Sequence, residues 1–274
     1  MCFGLLSRRL LLRSVICFNL STELRSCRLA DNIRYMRSNR EWIFWGKADP
    51  LWAVNSIRGK ERGASSPWTA DDFLQSGAEY FEGVRRQWQN YGMGSSHCVE
   101  IGCGSGRITN QLLTVFDKVT ALDVSPDQLE TARRMLGSKA DRVNFVLVEA
   151  PEVPMENGSI DGMFTCEVFQ HFSDFSGIEM YLRAVFPKLK PGGTICFQIP
   201  VSGLHGYSTF RYLVKRAAIA VKRMARSQAM MDYRFYPAPL IFKTLRSIGY
   251  QDCEMRMFPL ADHEGGHAYF FARK

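Results

Sequence analysis

Long apolar runs and paired cysteine motifs are both missing from this chain of 274 residues. Near the N-terminus, Arg8, Arg9 and Arg13 interrupt every apolar run well below the roughly 20 residues that a membrane-spanning helix needs. The eight cysteines include no C-x-x-C pair, which speaks against a zinc site or an iron–sulfur cluster. The sequence therefore predicts neither a transmembrane span nor a bound metal.

The cysteines that lie within apolar runs are Cys98, Cys166 and Cys196. Such cysteines are predicted to be buried thiols that behave as small hydrophobic side chains. Unpaired thiols fit a reducing compartment, so we predict a cytoplasmic protein.

Acidic residues are scarce in two segments of the chain. Residues 1–40 carry eight arginines against two acidic residues, and residues 201–236 carry seven basic residues against one. Each segment has a net charge of +6, so the rest of the chain has a net charge of −4 within the total of +8. A domain built around nucleic acid would be basic across its binding surface, and this distribution argues against one.

The first 35 residues leave three interpretations open. They are rich in Arg, Leu and Ser, with no acidic residue before Glu23. This composition suits an organelle transit peptide over residues 1–30, which would make the protein organelle-targeted. It equally suits a start codon placed too early, with Met36 as the true start, or an ordinary segment that is disordered or forms a surface helix.

The domain organisation is predicted from where the strand-like runs begin. Residues 1–90 are expected to be an N-terminal extension with a helical segment. Residues 91–274 are expected to be one domain, with a basic helical insertion at 201–236.

Strands and helices are predicted to alternate from Cys98 onward. Apolar runs at 98–101, 118–124, 143–149, 162–168 and 194–200 are separated by segments with helical spacing of apolar residues. Two further runs, 251–258 and 267–274, are joined by a short loop and predict an antiparallel pair. We therefore predict an α/β, doubly wound, Rossmann-like sheet of about seven strands. It is mostly parallel, with an antiparallel last strand at its edge.

Two local signals define helix ends. Ser125 is predicted to be an N-cap, with Pro126 in the first turn and Gln128 closing a capping box. A helix from Phe175 to Leu189 is predicted to end at the Lys-Pro-Gly-Gly sequence of residues 190–193.

The stretch CVEIGCGSGRIT, residues 98–109, joins the first strand to a helix through three glycines. Its spacing is G-x-G-x-G with Arg107 next, which departs from both the dinucleotide fingerprint G-x-G-x-x-G and the P-loop. The turn still lets a ligand lie against backbone amides at a helix N-terminus. Glu100, just before the first glycine, would repel a pyrophosphate and suit a cationic amine, which weakens an NAD or ATP interpretation.

Asp123 ends the second predicted strand, 19 residues after Gly104. An acidic residue at that position of a doubly wound sheet accepts hydrogen bonds from ribose hydroxyls. The alternative is that it interacts with the dipole of the helix after Ser125. A ligand with a ribose, a cationic amine and no required phosphate contact matches S-adenosylmethionine.

These motifs resemble the class I S-adenosylmethionine-dependent methyltransferases, particularly those of small molecules. The matching blocks, in order, are residues 99–109, 121–126, 148–172 and 189–200. The resemblance implies that S-adenosylmethionine is the methyl donor. It further implies that Glu100 lies near the methionine amine and that Gly102, Cys103, Gly104 and Gly106 form the turn beneath the methionine part. By the same resemblance, Asp123 and Val124 meet ribose and adenine, and Glu149 and Ala150 meet the adenine amine and ring. Cys166 and Glu167 are implied to lie beside the methionine part.

The resemblance implies methyl transfer to an acceptor, which we expect to be a small or amphipathic molecule. Because the cofactor carries the reactivity, a catalytic base is optional, and the weak candidates are His171 and His205. The alternatives are a non-catalytic S-adenosylmethionine-binding or regulatory module, or an RNA or protein methyltransferase. The (D/N/S)-P-P-(Y/F) motif of amino-group methyltransferases is absent after the fourth strand, which lowers the case for nucleic-acid base methylation.

Two segments outside the strand pattern bear on the acceptor. Residues 211–226 have an apolar face and a basic face, so they predict either a packed cap helix or contact with an acidic substrate, RNA or an anionic membrane surface. Residues 41–54 contain Trp42, Trp45 and Trp52, and they either form a wall of the acceptor pocket or belong to the core.

Overall fold

The computed structural model describes residues 39–56, 60, 67–202, 234–260 and 263–274. The helices are residues 39–48 (α1), Pro50–Val54 (α2), Ala70–Tyr91 (α3), Thr109–Leu112 (α4), Pro126–Leu136 (α5), Phe175–Val185 (α6) and Ala238–Ile248 (α7). Short 3₁₀ helices cover Gly137–Arg142, Phe169–His171 and Phe186–Lys188. The strands are His97–Ile101 (β1), Lys118–Asp123 (β2), Val143–Leu147 (β3), Ile160–Thr165 (β4), Leu189–Gln198 (β5), Gln251–Leu260 (β6) and His263–Arg273 (β7).

Within these ranges the strands form one seven-stranded sheet in the order β3-β2-β1-β4-β5-β7-β6. The first five strands pair in parallel, and β7 is antiparallel to both β5 and β6. The order reverses direction at β1, as it does in doubly wound sheets. The predicted Rossmann-like sheet, mostly parallel with an antiparallel last strand, is therefore confirmed.

The expected position of the antiparallel strand at the edge was wrong, because β7 lies between β5 and β6. The side chains of Tyr269, Phe270 and Phe271 are at most 1% exposed. A strand that is apolar on both faces is covered on both faces and belongs inside a sheet. The side chains of 251–258 are exposed or half-buried, and this strand forms the edge.

The end of α6 and the start of β5 also differ from the prediction. Helix α6 ends at Val185, and the Lys-Pro-Gly-Gly sequence lies within β5 rather than in a turn. The chain end pairs with it, since Gly192 N donates to Lys274 O at 3.2 Å and Lys274 N donates to Gly193 O at 2.9 Å. Strands β3 and β4 end two and three residues earlier than predicted, at Leu147 and Thr165.

The start of α5 agrees with its predicted N-cap but not with a capping box. Gln128 N donates to Ser125 Oγ at 3.3 Å, as an N-cap requires. The Gln128 side chain does not return to Ser125 N; its Nε2 donates to Pro50 O at 3.1 Å. Ser125 N donates instead to Asp123 Oδ1 at 2.9 Å. The Gln128 side chain therefore links α5 to the first residue of α2.

Alternating residues of the strands enter two apolar layers. On β1, Val99 and Ile101 pack on the side of α6 and α7, while Cys98 packs on the side of α3. Helix α3 contributes Trp88 to the second layer, where the indole Nε1 donates to Thr194 Oγ1 of β5 at 2.8 Å. Part of the chain before residue 91 therefore shares the core of the sheet.

In the described part of the chain, no helix is both long enough and apolar enough to cross a bilayer. Cys98 and Cys196 are fully buried, as predicted, whereas Cys166 is only half-buried. His205 and the basic segment 211–226 lie outside the described residues.

Candidate active site

The cavity that contains most of the predicted cofactor residues lies at the carboxyl ends of β1, β2 and β4. Its volume is about 280 Å³, and it opens where the strand order reverses beside β1. Ligands of doubly wound sheets bind at this edge because the loops there diverge to opposite faces. The lining combines predicted cofactor residues with residues from the N-terminal helices. Of the predicted residues, the following line it: Glu100, Gly102, Cys103, Gly104, Asp123, Val124, Cys166, Glu167 and His171.

The glycine turn is tied to β2 by its backbone. Gly102 N and Cys103 N both donate to Leu122 O, at 2.8 and 3.0 Å. Gly102 has φ +73° and Gly104 has φ +52°, a region that side chains with a Cβ rarely adopt. A Cβ at Gly102 would lie 2.4 Å from Val168 Cγ2, and one at Gly104 would lie 2.5 Å from Val54 Cγ2. The lack of side chains at both positions therefore lets Val168 and Val54 pack against the turn, and both valines line the cavity.

Gly106 serves a different purpose from the other two glycines. It does not line the cavity, and a Cβ there would lie 3.2 Å from Ala132 Cβ of α5. Its lack of a side chain lets α5 approach the turn closely. The expected contact of Gly106 with a cofactor stays a prediction.

Asp123 occupies the end of β2 and holds the turn in place. Gly104 N donates to its Oδ2 at 2.8 Å, and Ser125 N donates to its Oδ1 at 2.9 Å. The side chain is 8% exposed, and burial raises its pKa from the ordinary value while the backbone donors oppose the rise. Each carboxylate oxygen can accept more than one hydrogen bond, so Asp123 can also accept hydrogen bonds from ribose hydroxyls.

Glu100 is a buried acid on the wall next to the turn. It is 3% exposed, and Thr109 Oγ1 donates to its Oε2 at 2.6 Å. Burial raises the pKa of Glu100 to about 7, against the lowering effects of Thr109 and Arg107. A cationic group placed beside it would favour the charged carboxylate.

The raised pKa of Glu100 predicts a pH-dependent stability. A carboxyl group with a folded pKa near 7 and an unfolded pKa near 4.5 binds its proton more tightly in the folded state. Its contribution to stability is therefore complete below the unfolded pKa. That contribution falls as pH rises towards the folded pKa, by at most about 1.4 kcal/mol per pH unit.

Chemical denaturation of the ligand-free wild type and of Glu100→Gln, from about pH 5 to pH 8, measures this contribution. The difference in unfolding free energy between the two proteins is expected to fall as pH rises. A difference that stays flat over this range would show that Glu100 titrates as in the unfolded chain.

The end of β4 supplies a polar cluster on the other side of the cavity. Glu167 has φ +60°, which is strained for a residue with a side chain, and its N–H donates to Gln198 Oε1 at 3.0 Å. Gln170 Nε2 donates to Glu167 Oε2 and lies 3.3 Å from His171 Nε2. Cys166 is 3.1 Å from the Tyr269 hydroxyl, and burial raises the pKa of its thiol to about 12. Cys166 is therefore a neutral thiol on the wall and not a thiolate nucleophile.

Glu149 and Ala150 lie outside the lining of this cavity. Glu149 is exposed, and its carbonyl oxygen is 3.4 Å from Asn39 Nδ2 of α1. The preceding residue, Val148, lines the cavity instead. The expected adenine contacts of Glu149 and Ala150 stay predictions.

The N-terminal helices form the outer wall, so the tryptophan segment is both wall and core. Trp42 lines the cavity and meets the His171 ring edge-on, with centroids 4.9 Å apart. Trp45 is 6% exposed and packs on Trp52 at 4.8 Å, away from the lining. Tyr80 of α3 lines the same outer wall as Trp42.

Sequence reasoning missed Arg107 as a site residue. It lines the cavity and is 3% exposed, with its guanidinium 4.5 Å from the centre of the Tyr80 ring. In the sequence, Arg107 was noted only as the residue that departs from the dinucleotide fingerprint. A basic residue directly after a ligand-binding turn was the available signal.

Comparison with known proteins agrees with this geometry. Residues 98–193 match the model of a family described as a methyltransferase domain. The chain is 36% identical over 102 residues to an O-methyltransferase of Penicillium expansum, covering 36% of each protein. It is 29% identical over 159 residues to a ubiquinone biosynthesis O-methyltransferase of Xanthomonas campestris, covering 58% of this chain and 55% of that protein. The chain thus spans between about a third and just over half of the length of these relatives.

Solved structures share the fold at lower identity. A possible exported protein of Bordetella parapertussis aligns with a TM-score of 0.58 at 13% identity, covering 89% of this chain and 96% of that one. Phosphoethanolamine N-methyltransferase 2 of Haemonchus contortus, in complex with S-adenosyl-L-methionine, aligns with a TM-score of 0.54 at 15% identity. That alignment covers 80% of this chain and 60% of the Haemonchus chain. At these identities the likeness establishes the fold.

Proposed function

We propose that this chain, whose residues 98–193 are a class I S-adenosylmethionine-dependent methyltransferase domain, methylates an oxygen atom of a small or amphipathic acceptor. One observation carries the proposal. A single cavity joins the glycine turn and Asp123 to an aromatic end that contains His171.

The residues present fit S-adenosylmethionine as the donor. Gly102 and Gly104 present backbone to the cavity, and Asp123 keeps acceptor capacity for ribose hydroxyls. Glu100 provides a buried acid for the methionine amine. When bound, S-adenosylmethionine supplies an electrophilic methyl group on a sulfonium. The protein supplies alignment and exclusion of water around that group.

The acceptor end of the cavity supports a flat or apolar molecule with one polar group. Trp42 and Phe172 provide aromatic surface there. Gln170 is 1% exposed, and its Oε1 has no hydrogen-bond partner in the described part of the chain. Relatives named as O-methyltransferases support oxygen as the accepting atom.

His171 is the proposed proton acceptor. Among the described residues that line the cavity, it is the one histidine. Trp42 fixes the ring from its edge, and the Gln170 amide lies at its Nε2. An imidazole nitrogen in this position can take the proton that a hydroxyl acceptor gives up.

Calorimetry with S-adenosylhomocysteine, followed by a screen of hydroxyl, carboxyl and amine acceptors with methyl-labelled S-adenosylmethionine, tests the proposal. We expect binding, and label transfer to an oxygen acceptor. His171→Gln is expected to lower the turnover rate at least tenfold without changing the affinity for S-adenosylhomocysteine. Absence of binding to folded protein would refute the donor. Binding without transfer to any acceptor would favour a regulatory module, and label transfer confined to RNA, protein or amine acceptors would refute the proposed acceptor class.

A further inference from the structure

The unexplained feature of the cavity is a buried cation that forms no ion pair within the described part of the chain. Arg107 is 3% exposed, and neither its Nε nor its Nη1 has a hydrogen-bond partner within the described part of the chain. Arginine stays protonated in proteins, so this charge cannot be removed by losing a proton. An uncompensated buried charge is strongly unfavourable, which makes the guanidinium a site for an anion.

The neighbours of Arg107 leave its nitrogen donors available. Tyr80 provides a ring face 4.5 Å from the guanidinium, which holds the group in place without using its N–H donors. Gly77 of α3 approaches so closely that a Cβ there would lie 2.5 Å from Arg107 O, so α3 packs tightly against this residue. The guanidinium is therefore held between α3 and the cavity with N–H groups to donate.

The nearest buried acid does not neutralise it. Glu100 also lines the cavity and is 3% exposed, but its carboxylate accepts a hydrogen bond from Thr109. Among the described residues, Glu100 and Arg107 form no ion pair with each other, although the charge of Arg107 lowers the pKa of Glu100. The cavity thus presents a buried acid that accepts a hydrogen bond from Thr109 and a buried base whose Nε and Nη1 have no hydrogen-bond partner in the described part of the chain.

An amino-acid head group matches this arrangement, because it carries an ammonium and a carboxylate on one carbon atom. We propose that Arg107 binds the α-carboxylate of the methionine part of S-adenosylmethionine and of S-adenosylhomocysteine, opposite Glu100 at the amine. The inference rests on the proposed function, and it assigns a residue that determines the specificity for the zwitterionic end of the cofactor. A guanidinium donates two parallel hydrogen bonds to a carboxylate, which makes arginine more selective for it than lysine.

An acceptor carboxylate is the other source of the same chemistry. Arg107 directly follows the glycine turn and shares its wall with Glu100, whereas the proposed acceptor end is formed by Trp42 and His171. The position favours the cofactor, and ligands with and without the carboxylate separate the two sources.

Calorimetry on the full chain compares the wild type with Arg107→Met, using three ligands. These are S-adenosylhomocysteine, its decarboxylated amine analogue and 5′-methylthioadenosine, which lacks the amino acid. Arg107→Met is expected to weaken S-adenosylhomocysteine binding roughly 10- to 100-fold, the range for a lost charge-assisted hydrogen bond. Affinity for the other two ligands is expected to change less than about twofold. Arg107→Lys is expected to weaken S-adenosylhomocysteine binding less than Arg107→Met does, because lysine keeps the positive charge.

The melting temperature is a second measurement, and it separates a ligand-binding role of Arg107 from a purely structural one. Removing an uncompensated buried charge is expected to leave the melting temperature of the ligand-free protein unchanged or higher, while the stabilisation by S-adenosylhomocysteine falls. Arg133→Met is the matched control, because Arg133 of α5 also lies over an aromatic ring, Phe145 at 4.9 Å, but does not line the cavity.

Three results would overturn the assignment. Equal weakening of all three ligands would mean that Arg107 supports the fold of the cavity. Unchanged binding of S-adenosylhomocysteine would exclude contact with its carboxylate. A raised KM for the acceptor alone would assign the guanidinium to the acceptor. Failure of the wild type to bind S-adenosylhomocysteine would instead refute the proposed function, so the two failures are distinguishable.

Discussion

Replacing Asp123 with alanine is expected to weaken S-adenosylhomocysteine binding by about 1–3 kcal/mol, the range for lost hydrogen bonds to a charged group. The same change removes the acceptor of two buried N–H groups, those of Gly104 and Ser125. An orphaned buried donor costs about 1–3 kcal/mol, so we expect the loss of both partners to lower the free energy of unfolding by about 2–6 kcal/mol as well. Calorimetry and chemical denaturation measure the two losses separately.

Asp123→Asn is the milder variant that keeps the ribose assignment testable if the alanine variant unfolds. The asparagine retains one acceptor oxygen for the backbone but presents an amide donor where the second oxygen stood. Asp117→Ala is the control, because Asp117 is an exposed aspartate just before the opposite end of β2. If folded Asp123 variants bound S-adenosylhomocysteine as tightly as the wild type, the ribose role would be wrong.

Replacing Gly102 with alanine is expected to destabilise the protein by about 2–5 kcal/mol and to weaken cofactor binding at least roughly 30-fold. The left-handed backbone at φ +73° costs an alanine about 1–2 kcal/mol. Overlap of the new Cβ with Val168 Cγ2, 2.4 Å away, adds about 1–3 kcal/mol because a β-branched side chain has little freedom to move aside. Val168 lines the cavity, so its displacement changes the binding surface.

Two further variants separate the strain from the overlap. Gly158 has φ +65° and would place a Cβ within 4 Å of nothing, so Gly158→Ala carries the backbone strain alone. The double variant Gly102→Ala/Val168→Ala keeps the strain and removes the overlap, and it is expected to be more stable than the two single effects combined. Strict additivity in this cycle would mean that the overlap is relieved elsewhere.

The periodicity of apolar residues was sufficient to predict the fold class. Most residues of β1, β2 and β5 are buried because parallel strands are covered on both faces, and the apolar stretches that indicate such strands are local in the chain. The N-cap at Ser125 was also predictable, since it depends on residues within one helical turn. The role of Gln128 was not, because its partner Pro50 O is 78 residues away in sequence.

Only part of the candidate site was predicted, because the sequence shows local motifs and not contacts between distant residues. The glycine turn and Asp123 are local motifs, and the cavity contains both. Arg107 has no local pattern that reveals its burial, because α3 covers it only after the chain has folded. Trp42 reaches His171 across 129 residues of sequence, which no spacing rule predicts.

The sequence by itself determined the alternation of strands and helices, the turn at Gly102 and the acid at the end of β2, because hydrophobic periodicity and backbone conformation are properties of neighbouring residues. Only the tertiary structure decided that β7 lies inside the sheet, that α1 to α3 close the cavity and that Glu100 and Arg107 are buried on one wall. These outcomes depend on which distant surfaces cover one another. Burial of that kind turns two ordinary charged residues into a pair able to recognise a zwitterion.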